Sequence, residues 1–72
     1  MGAVTDMALS LARGVADDGR DERNMNIRAW RHGQISGMRR LALEMDFNSA
    51  WEARQQFDDL IDQLLKAREV AP

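Results

Sequence analysis

The sequence has no cysteine, and its one proline is the last residue, Pro72. The first absence excludes disulfides. With a single histidine, His32, it also excludes a structural zinc site, and no metal or cofactor is expected. The second leaves nothing to forbid helix anywhere before the final residue. Tyrosine is absent and valine scarce, which argues against a sheet. Neither sign of charge dominates: the net charge is −2, so there is no global pull toward nucleic acid or an anionic membrane. No apolar run approaches the ~20 residues of a membrane span. Residues 1–16 lack the basic leader and long apolar stretch of a secretory signal, so the expected compartment is the cytoplasm.

What is present favours helix. Met, Leu, Ala, Arg, Gln and Glu are abundant, and all are good helix formers. The abundance of Ala, Arg and Asp would suit a GC-rich bacterial or phage genome. With 72 residues the chain has room for one domain, residues 1–72. Folding at this size buries only about 60% of the unfolded surface, so a monomer is marginal. Disulfides and metal being excluded, the remaining routes to stability are tight helix packing and association, and a homo-oligomer such as a dimer is expected.

Three helical stretches are legible, without internal repeat or low-complexity tract. The first runs from about residue 3 to 16, with Val4, Met7, Ala8, Leu11 and Val15 as its apolar stripe and Leu9 off it. Gly19 is its stop signal. Residues 17–24 are wholly polar and read as a solvated linker, long enough for helix 1 to dock loosely or swap onto a neighbour. The second stretch covers about 25–45, with Ile27, Trp30, Met38, Leu41, Ala42 and Met45 on one face. Gly33 and Gly37 interrupt it. They admit two readings, a break near residue 33 or a close helix–helix crossing.

The third stretch covers about 48–69. Asn48 or Ser49 caps it, and Ser49 with Glu52 matches a capping box. Ala50, Ala53, Phe57, Leu60, Leu64, Ala67 and Ala71 alternate at spacings of three and four, and Trp51, Ile61 and Leu65 widen the stripe. Phe57, Leu60, Ile61 and Leu64 are the expected core or oligomer seam. Asp62–Lys66 and Arg40–Glu44 are spaced for ion pairs. The expected fold is all-α, a small bundle of about three helices with helices 2 and 3 as an antiparallel hairpin.

No enzymatic constellation emerges. His32 reads as an exposed histidine beside Arg31, and Ser49 as a cap rather than a nucleophile. Asp58, Asp59 and Asp62 read as a solvated helix edge. No Glu-x-x-His pair supports a di-iron site. The basic residues are uneven: residues 25–47 hold Arg28, Arg31, Arg39 and Arg40 against two acids, whereas residues 48–72 are acidic on balance. Arg28, His32 and Arg39 fall within about 40° of one another on a straight helix. Such a strip would suit phosphate, the acidic face of helix 3, or an acidic partner protein. The partner reading fits an acidic chain better. On that reading, charge reversal at Arg28 or Arg39 leaves folding unchanged and weakens partner binding. Trp30 and Trp51 lie on or beside apolar stripes, as core residues or as interface anchors.

The expected function is therefore a non-enzymatic protein–protein interaction module, a small regulator, inhibitor or accessory subunit. Its candidate partner-binding residues are Arg28, Trp30, Arg31, Arg39 and Trp51. The alternative is a small DNA-binding regulator with a helix-turn-helix-like segment at residues 41–57. In that segment Glu52 would oppose phosphates and the usual turn glycine is missing.

Overall fold

A computed structural model describes residues 2–70, with side-chain surroundings through Leu65. The described residues form three helices and no strand: α1 Ala3–Asp18, α2 Met25–Met45 and α3 Phe47–Val70. Each helix packs against both others in a bundle of 40 × 17 × 15 Å. None of the described helices is long and apolar enough to cross a membrane.

Cross-helix contacts fix the directions. Arg28 reaches Leu64 and Arg39 reaches Asp58, so α3 runs back along α2 as the expected hairpin. Gly2 meets Ser49 and Arg13 meets Gln56, so α1 lies parallel to α3 and antiparallel to α2.

The core is narrow. α3 supplies its bulk through Ala50, Ala53, Phe57, Leu60 and Leu64, the same positions that the sequence spacing picks out. Ile61 packs against them, half-buried. Of the same seam, the side chain of Ala67 and all of Ala71 lie outside the described residues, as does the side chain of Lys66. α1 meets this row with Thr5, Ala8, Leu9, Ala12 and Ala16. Small side chains let its backbone approach the larger ones of α3 closely. The stripe expected on α1 is thereby corrected: Met7 and Leu11 point outward, and Leu9 is core. α2 is corrected likewise. Its buried positions are Arg28, Ile35 and Ala42, while Ile27, Trp30, Leu41 and Met45 are exposed.

The linker is shorter and tighter than expected. α1 continues to Asp18, and Gly19 is its C-cap, with its N–H donating to the Val15 carbonyl at 3.0 Å. A Cβ on Gly19 would lie 2.6 Å from Arg31 Cδ and 3.0 Å from Leu64 Cδ2, so a side chain there would require both of those to shift. Asn24 caps α2, its side-chain Oδ1 accepting from the N–H groups of Asn26 (2.9 Å) and Ile27 (3.4 Å). α1 thus docks onto its own chain.

At the other end a single residue, Asp46, separates α2 from α3. α3 begins before the expected capping box, and Ser49 takes a different role: its hydroxyl accepts the Gly2 N–H at 2.8 Å. The Asp46 carboxylate accepts from the Thr5 hydroxyl at 3.2 Å and closes over Gly2, where a side chain would collide with it. These contacts pin the start of α1 to the α2–α3 turn.

α2 runs unbroken through Gly33 and Gly37. Among the described residues neither glycine sits at a close approach, since a Cβ at either would meet nothing within 4 Å; Gly14 of α1 is equally open. Each costs roughly 1 kcal/mol against alanine in a helix interior. Gly14→Ala is therefore expected to raise stability by about 0.5–1 kcal/mol, read as a higher thermal midpoint. An unchanged or lower midpoint would show that the outer side of α1 is not free.

Candidate protein-binding face

The arginines of the basic strip differ: Arg28 is buried, Arg31 and Arg39 are half-buried, and Arg40 is exposed. Arg28 is only 7% exposed. Its Nη1 donates to the Leu64 carbonyl of α3, and its Nη2 to the Arg20 carbonyl of the linker at 3.4 Å. Arg31 donates from Nη1 to the Val15 carbonyl at 3.3 Å, near the C-terminal end of α1. Its Nε has no hydrogen-bond partner among the described residues. Arg39 lies with Nε 3.6 Å from the Asp58 carboxylate on α3. Of the alternatives for the basic strip, these contacts match pairing within the chain, including the acidic edge of α3. Arg40, by contrast, is exposed and pairs with Glu44 at 3.4 Å, one turn on.

Trp30 and Trp51 are both exposed rather than core. They belong to different sides. Trp51 stacks on Phe47 with ring centroids 6.0 Å apart, and the Arg54 guanidinium sits 4.2 Å from its ring centroid. Trp30 lies on the outer side of α2, toward α1. The five candidate binding residues therefore do not form one surface.

A different set does. Ile27, Trp30, Leu41 and Met45 fall within about 60° of one another on α2, at about 100° per residue. Gln34, Gly37 and Met38 complete that sector without a charge. The register set by Thr5–Asp46 and Arg31–Val15 places Met7 beside the Leu41–Met45 turn and Leu11 beside Met38–Leu41. The result is a largely apolar outer face built by α1 and α2, with exposed Asp18 on the Met7–Leu11 line of α1 and Glu44 at the edge on α2. Trp30 is 61% exposed on it, Met45 66% and Met7 67%. The outer side of α3 is the opposite in character, with exposed Glu52, Gln55, Asp59, Asp62 and Gln63. Of these side chains, the sequence singles out Trp30 as a possible interface anchor, whereas the spacing of Met7, Leu11, Ile27, Leu41 and Met45 reads as core stripes. The signal that separates the two is the second, quieter stripe of small residues on α1.

A groove of about 270 Å³ lies where α2 begins beside α3, lined by Met25, Arg28, Ala29, His32, Leu64 and Leu65. His32 is half-buried at it rather than exposed. Ser36 follows His32 by one turn, and among the described residues no hydrogen bond joins them. No group of three or more His, Asp or Glu side chains comes together as a metal site among the described residues.

Residues 41–57 form a tight reversal. A helix-turn-helix joins its helices by three or four residues at about 90–120°, whereas here one residue intervenes and α3 folds back along α2. Comparison with protein-family models, with curated proteins and with solved structures finds no match to this chain. The functional reading therefore rests on the geometry of its surfaces.

Proposed function

We infer that the chain is a non-enzymatic helical module that binds another protein chain through the outer face of α1 and α2, as a small regulator, inhibitor or accessory subunit in the cytoplasm. One observation carries this reading: six large apolar side chains, Met7, Leu11, Ile27, Trp30, Leu41 and Met45, are exposed on the outer side of α1 and α2. Isolated exposed apolar residues are ordinary, but a contiguous patch of this extent marks an interaction surface. Its composition agrees, because tryptophan and methionine are enriched in interface cores and charged residues are depleted. The rigid bundle beneath it presents the face preformed, which limits the ordering cost of binding.

The test is photo-crosslinking in cells that express the chain. A photoactivatable residue at Leu41 should give covalent adducts with protein. The same residue at Asp62, on the polar side of α3, should give none. Equal yields at the two positions, or no adduct at Leu41, would overturn the reading.

A further inference from the structure

We propose that the occupant of the α1–α2 face is a second copy of this chain, paired with α2 antiparallel to α2 across a two-fold axis near Ile35 and Ser36, the helices crossing at Gly33 and Gly37. The proposal rests on the reading of this face as a protein-binding surface, and adds the partner and the register.

Three observations lead to it. First, Gly33 and Gly37 lie mid-helix facing open space, so no contact among the described residues accounts for them. A neighbouring helix backbone approaching at that point would, because glycines leave room for it. Second, the sizes along the strip are self-complementary. Bulky Trp30 and Leu41 stand at either end of the strip, with Gly33, Gln34 and Gly37 between them. A two-fold interface requires that residue i meets j and j meets i. Antiparallel pairing about Ile35–Ser36 does this. It sets Trp30 of the partner subunit against Leu41, with Met7 and Leu11 on the flank, and Gln34 of the partner subunit against Gly37. Third, the area suffices. Six side chains exposed by 37% to 67% make a patch on the order of 700 Å², close to the ~800 Å² that each partner contributes to a standard interface.

Sedimentation equilibrium of the full chain over a wide concentration range is the test. Wild type should reach twice the chain mass of 8.2 kDa. The Gly33→Gln/Gly37→Gln double variant should stay at the single-chain mass with helicity undiminished, because both positions are open in the single chain and glutamine is a good helix former. The register is tested separately. The chain has no cysteine, so a Gln34→Cys chain mixed with a Gly37→Cys chain should form the mixed disulfide in preference to either symmetric one. A wild type that never exceeds the single-chain mass, a double variant that associates as wild type does, or a preference for symmetric disulfides would each overturn the proposal. If the chain stays single while Leu41 still cross-links to a different protein, the second copy falls and the binding reading stands. No adduct at Leu41 removes both.

Discussion

Phe57→Ala is expected to abolish the cooperative melt of the chain. Phe57 is fully buried at the centre of the core row of α3, opposite the small side chains of α1. Truncating a buried phenylalanine costs about 3–5 kcal/mol, through lost transfer energy and the cavity left behind. Ala8, Ala12 and Ala16 cannot fill that space, having no rotamers with which to reach it. Single domains have about 5–15 kcal/mol in total, and one this small lies toward the lower end. Urea titration followed by circular dichroism should therefore show Phe57→Ala mostly unfolded, or unfolding without a clear baseline. Trp51→Ala is the control. That residue is half exposed, with the Phe47 ring stacked on it and Arg54 over its face, so its loss should move the midpoint little. If the two variants unfold at similar urea concentrations, the core assignment of α3 is wrong.

The difference between these two aromatics also shows where sequence could and could not be read. α3 was legible because its inward residues are its bulky ones: the spacing of Phe57, Leu60 and Leu64 is both the apolar pattern and the packing pattern. On α1 and α2 the two patterns part. A helix lying against a row of large side chains needs small ones, so α1 turns Thr5, Ala8, Ala12 and Ala16 inward and leaves Met7 and Leu11 outside. Choosing a stripe by size selects the wrong side of such a helix. α2 inverts the usual rule further. Arg28 goes inward because backbone carbonyls from the linker and from α3 are there to receive its guanidinium, whereas Trp30 goes outward. Nothing local to Arg28 announces those acceptors. They come from residues 8 and 36 positions away. The exposure of Ile27, Leu41 and Met45 is hidden for the same reason, since their spacing reads as a core stripe while other side chains fill the core. Gly33 and Gly37 suggest a break by propensity alone, yet α2 is continuous through both, because helix on either side carries them and a glycine costs only about 1 kcal/mol.

Arg28→Glu is expected to unfold the chain, and Arg39→Glu to leave it folded. On the basic strip as read from sequence, the two were equivalent surface charges. In the structure Arg28 is almost wholly buried and ties the linker carbonyl of Arg20 and the α3 carbonyl of Leu64 to α2. Hydrogen bonds from a charged donor contribute about 1.5–3 kcal/mol each. A buried carbonyl left without its donor costs about 1–3 kcal/mol, because it loses both partner and water. Glutamate adds to that loss, placing a carboxylate against two carbonyl oxygens. Arg39 pairs with Asp58 at 3.6 Å, with both side chains about two-fifths exposed. Such pairs contribute roughly 0–1 kcal/mol, and water solvates the reversed charge. Arg28→Met separates the causes: it keeps most of the buried stem and loses only the hydrogen bonds, so its midpoint should fall between wild type and Arg28→Glu. Circular dichroism melts of the three variants give the comparison. An Arg28→Glu chain that melts with Arg39→Glu would mean that the guanidinium of Arg28 spends its time in water, and that the linker is held to the bundle by Gly19 beneath Arg31 and Leu64 instead.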